Sequence, residues 1–371
     1  MDQSISERVR IHGTPLVDGE IATFVWLGER APHLIGDFTG WEDGDPAILA
    51  RVEPGVWTYQ LALPADAYIE YGFIDQGVRV TDPLNRKLTS NGMGKYNHYF
   101  YMPKGVPTPL VKLHRGIPRG LVKRKEIRNE FLLSRGRRGL NLYQPPVDQA
   151  VPLVVVWDGF DYLRRAKLVP MIDRMIAEKR IKPIALAMID NGGSARGLEY
   201  SCNEATIGLL ITEVLPLAQK ELNLIDINVY PGAYGVLGAS MGGLMALYTG
   251  LRLPHIFGHV ISQSGAFSFG EYDTLVFDLV RCVAMHPIKI WMDVGLYDMP
   301  VLLDANRRMH TLLKSSEYPV VYREYNAGHN YPAWRLWLVA IVMLLALILA
   351  LPNVFGESPA LQVSRNDRAA I

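Results

Sequence analysis

Gly238-Ala239-Ser240-Met241-Gly242 sets a serine between glycines two residues to either side, a spacing that suits a nucleophilic hydroxyl held on a tight turn. A chain that turns sharply from strand to helix leaves no room for side chains at those flanking positions. The serine is then strained with its hydroxyl exposed, and the N–H of Met241 points to where an oxyanion would develop. A serine hydroxyl also needs a base, and the base needs a carboxylate to orient it. His329, in Ala327-Gly328-His329-Asn330, follows the last expected strand and is the candidate base; the other eight histidines lack such a setting. Asp298 falls just past the end of another strand and is the favoured acid, with Asp293 expected inside that strand and Asp304 on the next helix. No metal or cofactor is called for.

The elements that must position these groups are legible around them. Residues 233–238 form a short apolar strand before Ser240, and Gly243-Leu244-Met245-Ala246-Leu247-Tyr248 begins a helix after it. From residue 151 onward strand and helix alternate. Val151 to Trp157 is a continuous apolar run, as expected of a strand buried on both faces. Helical spacing follows at 169–179 and 206–222, and further strands are expected at 183–189, 258–263, 288–294 and 320–325. This is the rhythm of an α/β fold, a mostly parallel, doubly wound sheet with helices on both faces. The order Ser240, Asp298, His329 is that of the α/β-hydrolase fold. A second oxyanion donor is expected in the loop Trp157-Asp158-Gly159-Phe160, from Phe160 or Gly159.

Residues 21–102 carry short runs of β-formers separated by turn residues, which suggests a small sandwich. Gly36-Asp37-Phe38-Thr39-Gly40-Trp41, Val56-Trp57 and Thr81-Asp82-Pro83-Leu84-Asn85 resemble the early-set sandwiches related to glycogen-binding modules. Trp41 and Trp57 could stack on a sugar ring, although such tryptophans more often anchor a core or a turn. The expected organisation is a sandwich over 1–105, a linker over 106–118, a hydrolase domain over 119–338 and an apolar tail over 339–371. Residues 115–138 carry nine Lys/Arg against two Glu, read as a solvated pair of edge strands rather than an anion-facing patch.

The chain of 371 residues has 49% hydrophobic and 20% charged residues, which fits a globular protein with a sizeable core. A net charge of +1 gives no global case for nucleic acid. Cys202 and Cys282 lack metal-ligand spacing and a disulfide framework and are expected to be reduced, buried thiols. The start of the chain has neither a basic stretch nor an apolar run, so a cytoplasmic enzyme is favoured. Leu336 to Leu351 is sixteen residues without a polar side chain, at the short edge of a membrane span. Membrane contact through 336–355 is one reading of it.

Taken together, several motifs resemble the enterochelin (ferric-enterobactin) esterase family within the esterase-D-like hydrolases. They are Asn141-Leu142-Tyr143-Gln144-Pro145-Pro146, Trp157-Asp158-Gly159, the segment Arg196 to Asn203, Thr212-Glu213-Val214-Leu215-Pro216, the Ser240 turn, Ser262-Gln263-Ser264-Gly265 and Gly328-His329-Asn330. The resemblance spans roughly residues 20–335. It implies metal-free serine ester hydrolysis of a small-molecule ester, with a ferric siderophore as the family substrate. Ser240 would be the nucleophile and His329 the base. Arg196 and Glu199 would line the substrate side, either binding substrate or bracing the loop as an ion pair. The alternatives are a feruloyl-type or other aromatic acyl esterase and, outside enzymes, a carbohydrate- or partner-binding protein with an inactive hydrolase domain. Residues 335–364 resemble the N-terminal membrane segment of the SecD subunit of the protein-export machinery, consistent with a tail anchor or a fused reading frame.

Overall fold

The computed structural model describes residues 3–92, 94–112, 116–132 and 134–336. The expectations for the apolar tail beyond 336 lie outside these residues. Among the described residues, no helix is long and apolar enough to cross a membrane.

The amino-terminal part is two antiparallel sheets face to face. One is built from Leu16–Asp18, Ile21–Leu27, Val56–Ala62 and Ala50–Glu53, the other from His33–Gly36, Tyr68–Asp75, Tyr96–Tyr101 and Leu88–Ser90, with Val78–Val80 paired to the second of these. Alternation along the strands sends Phe24 from one sheet and Tyr71, Phe73 and Phe100 from the other into a shared core. Phe24 meets Tyr71 and Phe100 edge-on, at centroid distances of 4.9 and 5.6 Å. Trp41 and Trp57 are anchored by their indole N–H groups, which donate to Asp37 Oδ1 and to the Gly28 carbonyl, each at 3.0 Å. A guanidinium covers a face of each ring, Arg79 on Trp41 and Arg51 on Trp57.

The larger part is an eight-stranded sheet in the spatial order Leu121–Arg128, Arg137–Gln144, Ala185–Ile189, Leu153–Val156, Gly235–Ala239, His259–Gln263, Lys289–Gly295, Val320–Tyr325. The first two strands run antiparallel to their neighbours and the other six are mutually parallel. The apolar run at 153–156 has a simple cause. Leu153 and Val155 pack on one face with Leu244 and Leu247, while Val154 and Val156 pack on the other with Leu168, Met171 and Ile172. Both faces are dry, so both sets of alternating positions are apolar.

The basic stretch is an edge, as its charge pattern suggests. Leu121–Arg128 is the outermost strand, and Lys123 and Lys125 both reach Glu221, while Arg124 pairs with Asp190. Charged side chains along an exposed edge oppose pairing with another chain. Two local expectations are corrected. The expected helix over 206–222 is three pieces, Glu204–Leu209, a π-helical turn Leu210–Val214 and Leu215–Glu221. Pro216 brings no N–H to the ladder and its ring crowds the preceding turn, which widens there. The cysteines are not both buried: Cys202 is half-buried, and burial pushes its thiol up to about 12, whereas Cys282 ends a surface helix and is exposed.

Candidate active site

Ser240 joins the strand Gly235–Ala239 to the helix Met241–Arg252 with φ +59° and ψ −125°, a conformation an L-residue adopts only under constraint. The constraint is visible in the backbone. Ser240 N–H donates to the Gln263 carbonyl at 2.8 Å, and its own carbonyl accepts from Ala266 and Leu244, each at 3.0 Å. The two glycines are sterically required: a Cβ on Gly238 would lie 2.1 Å from the Gly242 carbonyl oxygen, and one on Gly242 would lie 2.8 Å from Asp158 Oδ2.

Asp298 and His329 follow the carboxyl ends of Lys289–Gly295 and Val320–Tyr325, on the sheet edge that Ser240 also occupies. His329 Nδ1 lies 2.9 and 3.0 Å from the two Asp298 carboxylate oxygens, whose side chain is fully shielded from solvent. Asp298 also accepts from the Met299 N–H at 2.7 Å, which fixes the carboxylate from behind. The His329 ring meets Trp334 edge-on at 4.9 Å, and the indole N–H of Trp334 donates to Ser264 Oγ at 3.1 Å.

The other two carboxylates considered as acids have different surroundings. Asp304 lies on the helix Pro300–Ser315 and pairs with Arg308 at the surface. Asp293 lies wholly buried inside its strand, where Oδ2 accepts from Gln263 Nε2 at 3.2 Å and Trp291 Nε1 at 3.1 Å. Burial pushes its carboxyl up to about 7.

Gly159 and Phe160 begin a short helix after Leu153–Val156, so their N–H groups have no acceptor within that helix, as is true of Met241 in the helix after Ser240. Asp158, the residue before them, has φ +57° and a buried side chain held by several donors. Arg196 donates to both of its carboxylate oxygens, each at 2.6 Å, and Asn191 Nδ2 donates at 2.8 Å. Arg196 also donates to the Ala239 carbonyl at 3.3 Å, and the Tyr200 hydroxyl accepts from the Asp158 N–H at 3.2 Å. Arg196 and Glu199 therefore do not pair with each other. Glu199 forms a buried ion pair with Arg138 and accepts from the Ser134 N–H. Neither pairing leaves a local mark in the chain, because both partners lie dozens of residues away on other elements.

The sandwich touches this site directly. Tyr68 N–H donates to the Asn326 carbonyl at 3.0 Å, Asn326 Nδ2 donates to Asp66 Oδ1 at 2.7 Å, and Tyr68 bridges Ala327 in parallel. A Cβ on Gly328 would fall 2.2 Å from the Asp37 carboxyl carbon. Tyr297, beside Asp298, packs on the sandwich core, and its N–H donates to the Ala327 carbonyl at 3.1 Å. Sequence reasoning missed this clasp, since nothing in a β-rich segment says which loop it will meet.

A constrained serine at the head of a buried helix, with a bonded aspartate–histidine pair on the same edge of a mostly parallel sheet, is the architecture of an α/β-hydrolase. The sequence profile of a family described as "Putative esterase" matches residues 134–345, and the chain belongs to that esterase family. A profile for the N-terminal membrane region of the SecD export protein matches residues 329–371, nearly all of them outside the described structure. The iron(III) enterobactin esterase of Dickeya dadantii is 25% identical over 88% of this chain and 89% of its own length. The iron(III) salmochelin esterase of Escherichia coli is 24% identical over 86% of this chain and 85% of its own. Among solved structures, the enterobactin esterase of Shigella flexneri superposes with a TM-score of 0.74 at 22% identity, covering 93% of this chain and 99% of that one. A ferulic acid esterase from Anaeromyces mucronatus superposes with a TM-score of 0.54 at 17% identity, over 64% of this chain and 95% of its own.

Proposed function

We propose that the protein is a serine esterase that works through an acyl-serine intermediate, with Ser240 as nucleophile, His329 as base and Asp298 as the acid that orients it. The observation that carries this reading is the Asp298–His329 contact of 2.9 Å on the sheet edge where Ser240 is held at φ +59°. Asp298 accepts at Nδ1, which directs the basic lone pair of Nε2 away from the carboxylate. His329 then takes the Ser240 proton as Oγ attacks the ester carbonyl. The electrons displaced from the carbonyl rest on its oxygen, against the N–H groups of Met241 and of Phe160 or Gly159. Collapse expels the alcohol, which leaves with the proton held by His329. Water, deprotonated by the same imidazole, releases the acid and restores the serine hydroxyl.

Arg196 and Glu199 serve this chemistry by bracing the oxyanion loop and the strand behind it. What supports the substrate class is likeness over 86–88% of the chain to esterases of iron(III) enterobactin and iron(III) salmochelin, whereas the ferulic acid esterase covers 64% of it. We therefore favour a siderophore lactone over a feruloyl ester. Treatment with a serine-directed phosphonate, followed by peptide mass mapping, should place the adduct on Ser240. Turnover of a siderophore lactone should exceed that of methyl ferulate. An adduct elsewhere, or none with full retention of activity, removes the mechanism; faster turnover of the ferulate removes the substrate class.

A further inference from the structure

His259–Gln263 is a central strand of the hydrolase sheet, flanked by Gly235–Ala239 and Lys289–Gly295. Its last residue stands in register with Ala239 on one side and Asp293 on the other. Ile261, two residues earlier on the same face, belongs to the apolar cluster that holds Tyr162, Tyr331 and Trp334. Gln263 is nevertheless polar and fully buried, and the ester chemistry above gives its side chain no part. A buried amide is costly unless each of its groups is bonded. Here Oε1 accepts from the Tyr162 hydroxyl at 3.0 Å, while Nε2 donates to the Trp334 carbonyl at 3.1 Å and to Asp293 Oδ2 at 3.2 Å. Both hydrogens on Nε2 are used, which fixes the way the amide points.

These bonds lead to three segments of the candidate active site. Tyr162 stands two residues after Phe160 on the short helix Gly159–Arg164, whose first N–H groups face the developing oxyanion. Trp334 stands five residues after His329, and its ring meets the imidazole edge-on at 4.9 Å. The main-chain carbonyl of Gln263 itself accepts from the Ser240 N–H at 2.8 Å. Tyr331 packs between the two side-chain partners, edge-on to Tyr162 at 5.3 Å and to Trp334 at 4.8 Å.

Only a primary amide suits this place among side chains of similar length. Glutamate would set a carboxylate oxygen against the Trp334 carbonyl and the Asp293 carboxyl, where donors are needed. Methionine matches the length but leaves the Tyr162 hydroxyl and the Trp334 carbonyl unpartnered in a dry interior. Asparagine is one methylene short.

We propose that Gln263 is a positioning residue for ester hydrolysis: its amide sets the oxyanion helix against the His329 segment, with Ser240 hung from the same residue's carbonyl. The proposal rests on the ester-hydrolase reading above. Gln263 acts through Tyr162 and Trp334, so its loss should show in kcat rather than in KM.

The test uses the full chain, native, Gln263→Met, Tyr162→Phe and the double variant. Active sites are titrated with a chromogenic serine-directed phosphonate, and p-nitrophenyl acetate turnover is expressed per titrated site. Gln263→Met should lower kcat per site about 10- to 100-fold with KM near the native value, the cost of a small misplacement of reacting groups. Tyr162→Phe, which removes one hydroxyl and keeps the measurement readable if Gln263→Met folds poorly, should lower it about fivefold. The two losses should combine to less than their product, because they break one shared contact. A merely structural role would lower the melting temperature and the number of titratable sites, yet leave kcat per site native. That result in Tyr162→Phe, or losses that multiply in full, overturns the positioning role alone. A native chain that neither takes the phosphonate nor turns over ester sinks the esterase reading, and the positioning role with it.

Discussion

Tyr68 donates its backbone N–H to the carbonyl of Asn326, so a strand of the amino-terminal sandwich holds the loop that carries His329. Tyr297, next to Asp298, reaches the other way into the sandwich core. Tyr297→Ala should therefore lower stability by about 2–3 kcal/mol, as expected for a partly buried aromatic, and lower kcat as well. Thermal melts and ester turnover on the same preparation check this. Full activity at an unchanged melting temperature would show that the contact is incidental.

Ser240→Ala should leave the fold unchanged and cost on the order of 10⁴–10⁶ in kcat. The side chain is half-exposed and its backbone bonds do not need the hydroxyl. Circular dichroism and p-nitrophenyl acetate turnover are sufficient. Retention of more than about a tenth of the rate would remove Ser240 from the chemistry.

Asp298→Asn should cost roughly 10³–10⁴ in kcat, because an amide in that place no longer holds the His329 tautomer that a carboxylate accepts from. Substrate affinity should change little. If Asp293→Asn matched or exceeded that loss while Asp298→Asn turned over normally, the acid would have to be reassigned.

Asp293 also makes a prediction about pH. In the folded chain its carboxyl keeps its proton up to about pH 7, against an ordinary value of 3.8. Between these limits the folded state binds more protons than the unfolded one, so this group lowers stability as pH rises through the window. Asparagine is neutral throughout. The stability of Asp293→Asn relative to the native chain should therefore climb from pH 4 to pH 7, by up to roughly 4 kcal/mol. Urea titrations at about pH 4.5 and pH 7.5 measure the difference. A flat or falling difference would mean that the carboxyl is ionised in place.

Much of the hydrolase sheet was legible because burial of a strand on both faces favours consecutive apolar residues, as at Leu153, Val154, Val155 and Val156. The Ser240 turn was legible because steric exclusion leaves its mark as glycine at 238 and 242. Asp298 and His329 announced themselves only by following strand ends. What stayed hidden depends on partners distant in sequence. Glu199 meets Arg138 and Arg196 meets Asp158, each across elements that no local pattern relates. The break in the helix near 210–214 was missed because its spacing stays amphipathic through the wide turn.

Arg196 spans Asp158 and the carbonyl of Ala239, and so links the loop before Phe160 to the residue before Ser240. On the mechanism proposed above, these segments supply both oxyanion donors. Their spacing is thus set by a bidentate bond that exists before any ester arrives. On that mechanism the arriving carbonyl meets dipoles already aimed, which lowers the reorganisation cost that water would impose. Turnover on this side of the site should not wait on a closing motion. Whatever limits the rate would then lie in chemistry or in product release.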